Sequence, residues 1–299
     1  MTAPELFCFG LGYCATALAQ RLQREGWRIT GTAREVGSRL ETPAGGCGIL
    51  PFSRNRPLAD PEASLAGATA ILVSVPPDEA GDVVLDLHGD ALARLGDVRW
   101  IGYLSTTGVY GDTGGRVVDE MAPLRPSSAR SRRRVEAERR WLELARTHRL
   151  PVHVFRLAGI YGPGRSAFDQ VRSGRARRID RPNLFSRIHV DDVATVLAAS
   201  MARPDPAAIY NVCDDEPARP ADVISYACDL LGVDAPPLLT WDEAVRDMSA
   251  MAQSFWQDDR LVSNHRIKQD LGVRLAWPNY RSGLRGVLAA ERRAMRTGR

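Results

Sequence analysis

Residues 5–22, ELFCFGLGYCATALAQRL, pass from a short apolar stretch through two glycines directly into a helical pattern. A strand that turns on glycine into a helix is the opening unit of a parallel sheet wrapped by helices. The spacing is GxGxxA. Gly10 permits a tight turn, Gly12 lets a pyrophosphate approach the backbone, and Ala15 lets helix and strand pack closely. The amides that follow, at Tyr13, Cys14 and Ala15, open a helix whose dipole favours an anion. A bare glycine pattern is weak evidence, but here a helix stop at Gly26 and a second strand complete its context.

Short apolar runs continue to alternate with helical patterns over the first two hundred residues, which predicts strands buried on both faces. Strands are expected at Glu5–Phe9, Trp27–Thr32, Ala70–Val75, Trp100–Leu104, Val152–Leu157 and Ile209–Val212. Helices are expected near 14–25, 79–95, 131–147 and 191–202. The third carries Ala137, Trp141 and Leu144 as a core-facing stripe. Residues 161–187, rich in Gly, Arg and Pro, read as an excursion. After Pro217 come two or three short helices, one of them capped by Ser263 or Asn264 and ended by Gly272. The expected class is therefore α/β: a Rossmann-type doubly wound parallel sheet with a small, discontinuous C-terminal substrate domain. The dinucleotide-binding domain would comprise 1–160 and 188–216, the substrate region 161–187 and 217–299.

Hydrophobic residues make up 44% of the 299 and charged residues 25%, which suits a globular protein with a large core. The N-terminus has no basic region before an apolar run, and no stretch is long enough to span a membrane, so a cytoplasmic protein is expected. Five scattered cysteines, with no histidines at ligand spacing, predict buried thiols and no metal site. The net charge of +4 rests almost wholly on arginine, Lys268 being the only lysine. That excess suits an anionic small molecule and is too weak for nucleic acid.

The second strand ends in Thr32-Ala33-Arg34, where an acidic residue would hold an NAD ribose. Arg34 there would pair with a 2′-phosphate, while Glu35 leaves the ribose alternative open; the reading favours NADP(H) over NAD(H). Ser74, Val75 and Pro76, where the 70–75 strand ends, complete the candidate cofactor set.

Five further segments stand in order along the chain: YLSTTGVYG (103–111), VDEMAPLRP (118–126), LAGIYGPGR (157–165), RIHVDDVA (187–194) and YNVCDDEP (210–217). With the glycine turn, they resemble the extended short-chain dehydrogenases/reductases, the NAD-dependent epimerase/dehydratase-like family. The resemblance implies NAD(P)-dependent oxidoreductase or epimerase-like chemistry. A Ser/Thr orients the substrate oxygen, a tyrosine exchanges its proton, and a lysine four residues later binds the nicotinamide ribose. Thr106 stands at the Ser/Thr position, with Thr107 beside it. Matching RRRVEAE to the helix that carries the other two puts Arg130 at the tyrosine and Arg134 at the lysine. Arg134 can still offer charge and donors to the ribose. Arg130 cannot serve as acid or base, because guanidinium keeps its protons. There is no tyrosine between Tyr110 and Tyr161 to take its place. The turn also departs, being one residue shorter than the family's GxxGxxG, so the resemblance is to an atypical member.

A replacement acid is sought at Tyr110, a substrate group or an ordered water. His189 is expected to pack and Asp191 and Asp192 to cap a helix. Arg130 to Arg140, interleaved with Glu136, Glu138 and Glu143, reads as a solvated face. Arginines 172 to 187 fall in the excursion; Arg178 and Arg187 are the candidates to meet an anionic substrate, as in similar enzymes acting on nucleotide-sugars. The partner expected is a small molecule, neither nucleic acid nor membrane, for a monomer or homodimer. Without the tyrosine, a second reading stands beside the enzyme: a non-catalytic NADP(H)-binding sensor or scaffold.

Overall fold

The apolar runs become the strands of one parallel sheet. The computed structural model describes residues 3–35 and 48–296. In chain order its first half comprises β1 (Glu5–Phe9), α1 (Tyr13–Arg24), β2 (Arg28–Ala33), β3 (Gly48–Pro51), α2 (Pro61–Leu65), β4 (Ala70–Val73), α3 (Val83–Ala93), β5 (Trp100–Thr106), β6 (Val117–Val118), α4 (Ala129–His148) and β7 (Val152–Leu157). There follow β8 (Gly159–Tyr161), α5 (Ala167–Arg172), β9 (Arg178–Ile179), β10 (Arg187–His189), α6 (Val190–Ala202), β11 (Ile209–Val212), α7 (Pro220–Leu231), β12 (Leu238–Leu239), α8 (Trp241–Val245), α9 (Ala250–Ser254), β13 (Leu261–Val262), α10 (His265–Gln269) and α11 (Tyr280–Arg296). The sheet order is β11-β7-β5-β4-β1-β2-β3, all parallel, with the reversal of strand order beside β1 and β4. The fold is the expected Rossmann-type α/β sheet.

Because side chains alternate along a strand, each strand feeds two cores. Leu6, Cys8, Leu72, Trp100 and Phe155 face α1 and α6, whereas Phe7, Phe9, Ile71, Tyr103 and Val154 face α3 and α4. Gly102 is required by this packing, since a Cβ there would lie 2.2 Å from the Trp100 indole. A third cluster gathers α5, α7 and α11 through Phe168, Ile224 and Leu284.

Several elements differ from expectation. β3 is a seventh, edge strand that its four residues, bounded by glycine and proline, did not announce. The C-terminal part holds longer helices than the proline and glycine punctuation suggested: α7 has 12 residues and α11 has 17. On α4 the buried stripe runs Ala137, Trp141, Ala145, with Leu144 only half-buried. Cys8, Cys14, Cys213 and Cys228 are buried; Cys47 lies outside the described residues. No described helix is long and apolar enough to cross a membrane.

The expected solvated face of α4 needs one correction. Glu136 and Glu143 do pair with Arg139 and Arg146 in solvent, but Glu138 is 1% exposed. It receives Arg156 of β7 at 2.8 Å, and Ser105 Oγ donates to its other oxygen. Arg156 Nη1 also donates to the Tyr110 hydroxyl at 2.8 Å, which in turn donates to Asn211 Oδ1 at 2.7 Å. Removing one member of a buried ion pair strands the other charge, at a cost of about 3–5 kcal/mol. Glu138→Ala should therefore lower the denaturant midpoint by that equivalent, and an unchanged midpoint would show that the pair contributes nothing.

Candidate cofactor and substrate site

The glycine turn is braced from both neighbouring strands. Gly10 takes a positive φ of 84°, a conformation that disfavours any side chain, and its amide donates to Thr32 Oγ1 at 2.8 Å. Its carbonyl accepts from Ser74 Oγ at 2.5 Å, and the Leu11 amide donates to Thr32 O at 2.8 Å. Thr32 is thus buried as a strut of the turn, and Ser74 is a second strut. α1 starts at once, with Gly12 as an N-cap that has no side chain and no acidic residue in the first turn. The first amides of a helix have no partner within it, so those of Tyr13, Cys14 and Ala15 remain for a ligand. A Cβ added to Gly12 would meet only Ser74 Oγ, at 3.9 Å, so the surface over the turn is open. These features fit a dinucleotide diphosphate. Arg34 and Glu35 both stand exposed where β2 leaves the sheet, and Val75 and Pro76 follow β4 beside the turn. Burial pushes the Cys14 thiol up to about 11, which makes it an inert packing group.

At the end of β5, Thr106 Oγ1 accepts the Gly108 amide at 3.1 Å, which leaves its own proton for another acceptor. Thr107 is buried beneath it. On α4, Arg134 Nη1 donates to Leu104 O at 2.6 Å and to the Tyr103 hydroxyl at 3.1 Å, a cation set against the end of β5. Arg130 is exposed, its guanidinium over the Phe255 ring.

A cleft of about 960 Å³ opens between the 161–187 excursion and the C-terminal helices, and Arg165, Arg175, Arg177 and Arg187 line it. Arg187 is held by two carbonyls, its Nη1 donating to Phe185 O at 2.7 Å and Ala218 O at 2.8 Å. Arg178 is not a lining residue. Arg177, just before β9, and Ile179 within it both line the cleft, so alternation turns Arg178 away, where it donates to Pro236 O at 3.1 Å. Arg172 is paired with Glu291, and Arg181 lies over Trp241. Arg165 reaches back to the glycine turn: it lies over the Tyr13 ring, and Tyr13 donates to Pro163 O at 3.0 Å.

A sequence model of the NAD dependent epimerase/dehydratase family matches residues 90–213. A conserved protein of unknown function from Silicibacter pomeroyi DSS is 50% identical, with 96% of this chain and 99% of that chain covered at a TM-score of 0.88. The chain belongs to the NAD-dependent epimerase/dehydratase family. A candidate NAD-dependent epimerase/dehydratase from Methylobacillus flagellatus is 25% identical over 98% of this chain and 100% of that chain (TM-score 0.74). The UDP-glucuronic acid 4-epimerase of Bacillus cereus, solved with UDP-glucuronic acid and NAD, shares the fold at 14% identity, 97% and 99% coverage and a TM-score of 0.77. No curated protein matches significantly.

Within this family frame, the remaining candidates separate cleanly. Tyr110 is in the core: it is 1% exposed, its hydroxyl is engaged by Arg156 and Asn211, and burial pushes its phenol above the ordinary value. It has no free proton to offer a cleft ligand. His189, not the acid pair, caps α6, its Nδ1 accepting the Asp191 amide at 3.2 Å. Asp192 instead takes the amides of Ala276 and Trp277, at 2.8 and 2.9 Å. Tyr161 lines the cleft, packed against Gly283, where a Cβ would lie 2.0 Å from its hydroxyl, and that hydroxyl donates to Asn279 O at 3.4 Å.

Asp214, after β11, was not a candidate, because DDE in sequence reads as an exposed loop. It is 4% exposed, and its carboxylate has no side-chain hydrogen-bond partner among the described residues, only the nearby Glu216 amide. Burial pushes its carboxyl up to about 8 against the opposing pull of Arg187. The folded state therefore holds this proton more tightly than the unfolded chain, and stability should fall as pH rises from about 4 to about 8, then level off. Asp214→Asn should flatten that slope, so the gain over wild type in denaturant midpoint grows from pH 5 to pH 8. Parallel pH profiles for the two proteins would remove the assignment.

Proposed function

We propose that this chain is an enzyme that binds NADP(H) in preference to NAD(H) and acts on an anionic small molecule of the nucleotide-sugar class. The observation that carries the reading is the cleft lined by four arginines, which opens on segments next to the strand ends that bear Thr106 and the glycine turn. An arginine-lined cleft suits a substrate diphosphate, and the Bacillus cereus relative of the same fold binds UDP-glucuronic acid together with NAD.

The amides of Tyr13, Cys14 and Ala15 would hold the dinucleotide diphosphate, with Gly10 and Gly12 clearing the approach. Arg34 would pair with a 2′-phosphate. Arg134, anchored on Leu104 O, would offer its remaining donors and its charge to the nicotinamide ribose. When bound, the cofactor supplies hydride transfer. Thr106 would orient the substrate oxygen, while the accompanying proton comes from the substrate or from water, since neither Arg130 nor the buried Tyr110 releases one.

Arg130 also supports a second reading, a protein that binds the dinucleotide without turning over a substrate. Two measurements separate the alternatives. Fluorescence titration should show tighter binding of NADPH than NADH, and Arg34→Ala should weaken NADPH binding by about tenfold or more, the scale of a hydrogen bond between charged groups, while leaving NADH unchanged. Incubation with reduced cofactor and oxidised nucleotide-sugars should consume the reduced-nicotinamide absorbance, and Thr106→Ala should lower kcat by about a hundredfold or more. Tight cofactor binding with no turnover of any such compound would select the second reading.

A further inference from the structure

α4 opens with four arginines in five residues, Arg130 and Arg132 to Arg134, at the end of a helix that disfavours cations. Three of them are committed. Arg134 is on Leu104 O, Arg133 faces Glu79 at 3.6 Å, and Arg132 Nη1 donates to Ser127 O at 3.1 Å. Arg130 differs: its guanidinium stacks on the Phe255 ring, 5.1 Å from the centroid, and no described residue accepts a hydrogen bond from it. A guanidinium set over a ring keeps its fork of donors for another partner, and that fork takes a carboxylate bidentately.

The fork also sits in a defined place. Arg130 and Arg134 lie at i and i+4 on one helix face. Arg134 reaches Leu104 O, near the end of β5, so Arg130, one turn earlier, is placed toward the Thr106 end of that strand. Ser131 packs on the same corner: a Cβ on Gly108 would lie 2.9 Å from Ser131 Oγ and 3.4 Å from Thr106 Oγ1. Phe255 precedes Trp256, which lines the arginine cleft.

We propose that Arg130 is a specificity-determining residue that binds a carboxylate on the substrate, adjacent to the carbon whose oxygen Thr106 orients. The inference rests on the nucleotide-sugar reading and narrows it to an acidic sugar. The position that exchanges a proton in the family would here read a charge. The cleft lined by Arg165, Arg175, Arg177 and Arg187 is a separate place for the diphosphate, so the two anionic groups have separate partners.

Calorimetric titration with UDP-glucuronate and UDP-glucose, which differ by one carboxylate, tests this. The wild-type protein should bind UDP-glucuronate at least about tenfold more tightly, the low end for a charged hydrogen-bonded pair. Arg130→Gln, exposed and folded with unchanged Tm, should bind both alike, and Arg130→Lys should keep part of the preference. Arg132→Gln removes the same charge from the same turn and should keep all of it. Equal wild-type affinities, a preference that survives in R130Q, or an equal loss in R132Q would each overturn the inference and leave the nucleotide-sugar reading standing. Binding of neither compound would overturn both.

Discussion

The ion pair between Glu138 and Arg156 fixes the geometry on which the site depends. It joins the middle of α4 to the C-terminal end of β7 with both side chains almost fully buried. Ser105 of β5 and Tyr110 of the following turn bond to the same two groups, and Asn211 of β11 closes the network. Charges buried this deeply tolerate little displacement, because every lost hydrogen bond leaves a desolvated partner. α4 is therefore held at one height against β5. From that height Arg134 meets Leu104 O, and Arg130 falls one turn further out. A tyrosine that would be a candidate proton donor by its place in the sequence is spent on holding this frame.

Arginine changes what the corner can do. A tyrosine and lysine pair moves a proton; two guanidiniums cannot, since neither gives one up near neutrality. They can hold anions, and the neighbouring cleft repeats that chemistry with Arg165, Arg175, Arg177 and Arg187. The chain's near-exclusive use of arginine as its cation thus has a local meaning at this site: planar, always-charged donors suited to carboxylate and phosphate. Asp214, buried beside Arg187 with no side-chain hydrogen bond among the described residues, is an acidic group set against that field.

Much of the fold was legible from local pattern. Strands such as Val152–Leu157 and Ile209–Val212 are continuous apolar runs, and burial on both faces requires this of a central parallel strand. The edge strand Gly48–Pro51 carries no such demand and so left no signal. The glycine turn was legible for the same reason as the central strands: positive φ at Gly10 and a helix start without a side-chain cap are local requirements.

The chain alone determined the parallel sheet, the tight turn at Gly10 and the arginines at positions 130 and 134, because each is a statement about residue type at one position or over one short run. Tertiary structure decided the rest. It sent Tyr110 and Glu138 into the core, made struts of Thr32 and Ser74, and turned Arg178 out of the cleft that Arg165 and Arg177 enter. It also buried Asp214 without a side-chain hydrogen bond among the described residues. Charge and polarity do not reveal burial: whether an arginine or a carboxylate meets solvent, a ligand or another side chain depends on which distant strand arrives beside it.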